Sequence, residues 1–229
     1  MIKQLFSAGM ILLATSVMAN DIKYTFIEGG LYLDSENEKE RDAYSHTEYE
    51  SSTALARVNG SIGFGSLFYL PASIESSATS YDFSYCEEYY DYCYDSEGSV
   101  LTVIAVAGAG LHFDIGQNAS LYTEIGLMNR NTSYDYDNDD YDADEEDSDN
   151  GNQQVLGLRI QPADLIEFDL RFRRVDWSDY SESFYHKNFS AQFNITEHIG
   201  VAASVIVASD KLSKFDQKIW GAYFRYSFK

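Results

Sequence analysis

The sequence predicts an all-β chain, an antiparallel transmembrane β-barrel of about ten strands (eight being the smaller possibility) in an up-and-down meander. Three observations predict it. Apolar and polar residues alternate with a period of two over ten segments, near 22–34, 53–65, 67–80, 100–115, 119–133, 152–162, 165–178, 184–195, 199–210 and 218–228. Beyond the N-terminus no segment approaches the roughly 20 apolar residues of a membrane helix, so a membrane-embedded chain must cross with strands. The connections also alternate long and short, which suits a barrel with tight turns on one rim and long loops on the other.

The N-terminus reads as a signal peptide over residues 1–19. Lys3 supplies a basic start, Leu5 to Val17 an apolar run too short to span a bilayer, and Val17-Met18-Ala19 a small-residue cleavage site before Asn20. Residues 20–229 then form one barrel domain.

Charge separates body from loops. Without Lys3 the chain holds 15 basic and 37 acidic residues. Residues 35–52 contain six acids and two bases, 81–99 six acids, and 134–150 ten acids, so these segments carry nearly all of the negative charge. They read as acidic extracellular loops, near 35–52, 81–99 and 134–151, on an almost neutral body. Such loops repel a polyanion, which excludes a nucleic-acid partner. Cys86 and Cys93 lie in the second of them, and an even cysteine count in an exported segment predicts a local disulfide.

Within strands the alternation separates two faces. Phe168, Leu170 and Phe172 interleave with Glu167, Asp169, Arg171 and Arg173. An exported soluble β-sheet binding protein that buries its apolar face fits this pattern as well. The last strand favours the barrel: Trp220, Ala222, Phe224, Tyr226 and Phe228 share one face, with large aromatics at both ends, as an interfacial girdle requires.

Tyr-Thr-Phe-Ile-Glu-Gly-Gly-Leu-Tyr at 24–32, Asn59-Gly60-Ser61 and the terminal aromatic strand together resemble the small Gram-negative outer-membrane barrels of the OmpA/OmpX-like porin family. In that family the chain normally ends on the aromatic residue itself; here Phe228 is followed by Lys229. The resemblance implies a monomer in the outer membrane. Its partners would be membrane lipid, lipopolysaccharide and, during biogenesis, the barrel-insertion machinery.

Lumen-phase positions hold a nearly balanced set of charges: Glu28, Arg57, Glu124, Arg159, Glu167, Asp169, Arg171, Arg173 and Arg225, together with Glu75, Asp114 and Arg130. In a barrel this narrow they are expected to pair and fill the interior, with a narrow ion-selective channel as the alternative. No cofactor is required. The acids Asp135, Asp137, Asp139, Asp142, Asp144 and Glu146 match part of a calcium-loop spacing, but Asp140 stands where the loop glycine belongs. Calcium or magnesium is therefore expected to associate with this segment through hard oxygen donors, without a helix-loop-helix site. Eleven of the nineteen tyrosines lie in the three acidic segments, as a recognition surface or self-packed. Of the four histidines only His112 and His186 fall in lumen phase, and no catalytic set is expected. Pro71 cannot donate to a ladder, so a bulge or an early strand end is expected there.

Overall fold

The computed structural model describes residues 24–41, 45–87, 92–138, 141–180, 183–209 and 217–228. Ten strands follow in chain order: β1 (Phe26–Arg41), β2 (Ser45–Phe64), β3 (Phe68–Glu87), β4 (Tyr92–Asp114), β5 (Ala119–Asn138), β6 (Tyr141–Ala163), β7 (Ile166–Trp177), β8 (Ser183–Asn194), β9 (Ile199–Ser209) and β10 (Gln217–Ser227). Each pairs antiparallel with its sequence neighbours, and β1 pairs with β10 to close the ring. Tracing the register once around the ring shifts it by about twelve residues, which tilts the strands by about 40°. The signal peptide lies outside the described residues.

The alternation places side chains as a membrane barrel needs them. Outward positions are apolar and exposed, including Leu31 at 69 %, Ile125 at 66 % and Leu127 at 76 %. Inward positions are polar and buried, among them Glu28, Arg57, Glu75, Glu124, Arg159, Glu167, Asp169 and Arg225. A soluble sheet would bury the apolar face. Here it faces out, the arrangement of a barrel whose solvent is lipid. Phe64, Phe68, Phe193, Tyr226 and Phe228 ring the short-turn end of the outer surface, and Trp220 lies near the other end of β10. Tight turns at Gly65 and Gly116 use φ of 65° and 72°, the left-handed region that favours glycine.

The acidic segments differ from the expectation. β1–β6 are 16 to 23 residues long, whereas β7–β10 are 11 or 12. A tilted strand crosses a bilayer in roughly 9–11 residues, so the excess projects beyond it. Segments 35–52, 81–99 and 134–151 are mostly paired strand, with rungs continuing to Arg41 opposite His46, Glu87 opposite Tyr92 and Asn138 opposite Tyr141. The physical reason is that the period of two persists: Tyr, Ser and Thr alternate with acids, and these satisfy strand geometry outside the membrane as well as within it. Cys86 and Cys93 form a rung near the top of the second hairpin and are disulfide-bonded.

Above the ring the sheet opens. β1 pairs with β10 only as far as Leu33, and β6 pairs with β7 only from Gly151. The six long strands therefore continue as an open curved sheet with β1 and β6 at its edges. Pro71 neither bulges nor ends β3. It pairs opposite Ser61 on β2, while the β3–β4 ladder omits Leu70 and Pro71 and resumes in the same register at Ala72. The register shift in the barrel falls instead between Ile160 and Ala163, at Pro162.

Membrane placement predicts a depth-dependent cost for outward charge. Ile125→Arg, in the middle of the apolar belt, should destabilise the folded barrel by about 2–4 kcal/mol in urea titrations in lipid vesicles, and Ser133→Arg, above the belt, by close to nothing.

Candidate functional site

The lumen is filled by an ionic network that the strand register assembles. Arg225 on β10 donates to Glu28 on β1 at 2.9 Å and to Glu167 on β7 at 2.7 Å, across the seam that closes the ring. Arg159 on β6 reaches Glu167 at 3.3 Å and Asp169 at 3.2 Å, with its guanidinium carbon 4.9 Å from the centre of the Tyr24 ring. Asp169 also accepts the Tyr122 hydroxyl at 2.7 Å, and that hydroxyl oxygen accepts from Arg171 Nε at 3.0 Å. A second group lies beside it. Glu75 on β3 pairs with Arg57 at 3.0 Å and with Arg173 at 3.1 Å, and Arg173 lies 2.5 Å from His186 Nδ1. Asn59 donates to Glu28 at 2.8 Å, and Tyr69 to Glu124 at 2.9 Å.

The charges balance: Arg57, Arg159, Arg171, Arg173 and Arg225 against Glu28, Glu75, Glu124, Glu167 and Asp169. In a low-dielectric wall such groups hold together because each finds several partners, and removing one leaves its neighbours bare. Among these side chains lies a cavity of about 60 Å³. That holds only a few waters. Towards the short-turn rim the lumen widens to a vestibule of about 560 Å³ that includes Glu167 and Arg225 in its lining. Towards the hairpin rim Arg130 lies over the Trp177 ring at 4.7 Å and the Tyr180 ring at 5.1 Å, and it pairs with Asp149 at 3.4 Å.

Of the charged residues in lumen phase, Glu28, Arg57, Glu75, Glu124, Arg159, Glu167, Asp169 and Arg225 are buried, and Asp114, Arg130, Arg171 and Arg173 are partly buried. The tyrosines that join the charges, Tyr122 and Tyr69, are not distinguished by composition, since most tyrosines of the chain lie in the acidic segments. Tyr122 sits two residues from both Ser120 and Glu124, in the lumen phase of its strand, and that spacing was the available signal. Aromatic rings also lie over glycines on the neighbouring strand: Tyr122 over Gly157 and Tyr32 over Gly221, both cross-strand partners. A β-carbon at either glycine would occupy the ring's position. His112 stacks on Tyr24 with ring centres 3.8 Å apart and lies 3.8 Å from Asp114, so both lumen histidines are packed into the interior.

Four of the six acids expected to attract cations take opposed positions in the β5–β6 ladder. Asp135 opposes Asp144, Asp137 opposes Asp142, and Glu146 opposes Ser133; Asp139 lies outside the described residues. Facing like charges destabilise a ladder unless something neutralises them. Among the described residues no three such donors converge on one point. In the β1–β2 hairpin, Lys39 and Glu48 form a rung and an ion pair. The hydrogen bond from Lys39 holds the Glu48 carboxyl below the usual carboxylate range, and the same bond raises the Lys39 ammonium.

No family model matches the sequence, and no curated protein does. Solved structures do match. The translocator domain of the autotransporter NalP from Neisseria meningitidis superposes with a TM-score of 0.52 at 11 % identity, covering 98 % of this chain and 96 % of that one. The β-domain of the Bordetella autotransporter BrkA gives 0.53 at 10 % identity, covering 89 % and 99 %. These likenesses show the fold, a closed β-barrel.

Arg159→Met removes the shared partner of Glu167 and Asp169 and should cost about 3–5 kcal/mol in urea unfolding, because two buried carboxylates lose a counter-charge. Glu48 should titrate below the ordinary carboxylate range by NMR, and Lys39→Gln should return it there. With a depressed pKa, the rung's contribution to the hairpin is complete above the ordinary carboxylate value and is lost as pH falls through the lowered one.

Proposed function

We propose that this chain is a closed outer-membrane barrel of structural or surface-interaction role, and that the acidic, tyrosine-rich hairpins are its working part. The observation that carries this reading is the filled lumen. A balanced ionic network spans the ring from β1 to β10 around a cavity of about 60 Å³, while half the length of several strands stands outside the membrane. Solute passage needs a continuous aqueous path, and open pores belong to much wider barrels. The narrow ion-selective channel is therefore the weaker reading.

In the same proposal the β5–β6 hairpin associates with calcium or magnesium. The facing pairs Asp135/Asp144 and Asp137/Asp142 support it, since a divalent ion between strands relieves their repulsion through hard oxygen donors.

In planar bilayers the purified protein should give no stable unitary conductance; reproducible single-channel steps would transfer the reading to a channel. Millimolar calcium should slow amide exchange over residues 134–146, and Asp135→Asn with Asp144→Asn should abolish the effect. Exchange indifferent to calcium in the unaltered protein would remove the cation reading and leave the barrel standing.

A further inference from the structure

The outer surface of the barrel is not uniform around its circumference. On β4 the outward positions stay apolar from Phe113 up to Leu101, a stretch of thirteen residues. On β6, β7 and β8 the apolar run ends much sooner, at Gln154, Arg174 and Lys187 respectively, each exposed on the outside. β10 adds an exposed Lys218 just above Trp220. Among the described residues of the barrel wall, these three bases are the ones that point outward; the other wall arginines point into the lumen.

The ladder gathers them. Gln154 opposes Arg174, and Lys187 and Lys218 both oppose Val207, which puts them two strands and about 10 Å apart on one row. The Arg174 side chain is held along the wall by Asp176 at 3.0 Å and by Ser183 at 3.2 Å. Directly below this row the surface is Leu156, Phe172, Phe189 and Trp220, all exposed apolar side chains. The tall acidic hairpins rise from β1–β6, while the bases lie on β7, β8 and β10, so the patch is set to one side of the hairpins' carboxylates; Asp176, paired with Arg174, is the acid beside it, and Lys187 and Lys218 are left as the cations that face outward.

We infer that this face binds the phosphorylated glycolipid headgroup of the outer leaflet, with Lys187, Lys218 and Arg174 taking phosphate and Gln154 and its outward neighbour Asn152 taking sugar hydroxyls. The inference rests on the membrane placement described above. Three chemistries meet in one ligand: anion over the cations, hydroxyls over the amides, and acyl chains over the aromatic and aliphatic side chains beneath. A second copy of the chain meeting this face symmetrically would set base against base, and a soluble anion would make no use of the apolar half.

The test uses the full chain refolded in detergent micelles doped with bisphosphorylated lipid A, with its dephosphorylated form, or with inorganic phosphate alone. Retained lipid is read by native mass spectrometry. The comparison variant is Lys187→Met with Lys218→Met, whose side chains suit a lipid-facing wall; Lys187→Gln with Lys218→Gln serves as a second neutral pair, and unboiled gel mobility confirms closure. The expected result is retention of bisphosphorylated lipid A by the unaltered protein, about thirtyfold weaker in either lysine pair and weaker with the dephosphorylated lipid. Equal retention by closed variants, indifference to dephosphorylation, or displacement by inorganic phosphate at lipid concentration would each overturn it. Self-association abolished by the lysine pairs without lipid retention would give the face to a second copy instead. A chain that never acquires heat-modifiable mobility would overturn the membrane placement itself.

Discussion

Ten charged side chains sealed inside a ring whose outside is hydrocarbon oblige every strand to keep one register. Slipping a strand by a single residue turns its lumen face outward, which would place Glu167 and Asp169, or Arg171 and Arg173, in lipid. The network therefore specifies the barrel more than it stabilises it. Buried ion pairs contribute little net energy over a well-packed apolar core, but the misaligned alternatives are prohibitively costly. The cross-strand rings over Gly157 and Gly221 reinforce the same register, because Tyr122 and Tyr32 fit only where the opposing residue has no side chain.

The division of the molecule into a quiet interior and an active exterior follows from strand length. β7–β10 are about as long as the bilayer requires, and their charge is spent within the wall or on its outer surface. β1–β6 overshoot, and the overshoot carries nearly all the negative charge. One side of the ring thus presents a tall acidic sheet and the other a low basic shoulder.

Much of this was legible from alternation alone. The period of two in 165–178 separated Phe168, Leu170 and Phe172 from Glu167, Asp169, Arg171 and Arg173, and these pairs do divide between lipid and lumen. Where strands stop is not legible in the same way. Composition at 134–150 signals solvent, which is compatible with strand as well as loop: Tyr134 and Asp135 continue the same ladder that begins at Ala119. Hydropathy reports what surrounds a residue; backbone pairing depends on its neighbour across the strand, which one-dimensional reading does not supply. Pro71 shows the converse. A residue without an amide hydrogen suggested a break, yet it sits in the barrel by leaving two rungs of one ladder unformed while the other ladder holds.

Arg225 and Glu28, which meet across the β1–β10 seam, are separated by 197 positions in the chain. The first strand made is completed only by the last. Until β10 arrives, Glu28 would enter the membrane without its guanidinium partner, and that immersion is far more costly than waiting. Growth strand by strand into lipid is thereby disfavoured, and the Arg225–Glu28 pair forms only when the ring closes. Such a folding route is slow and dominated by distant encounters, with the nascent chain needing shelter until its C-terminus exists.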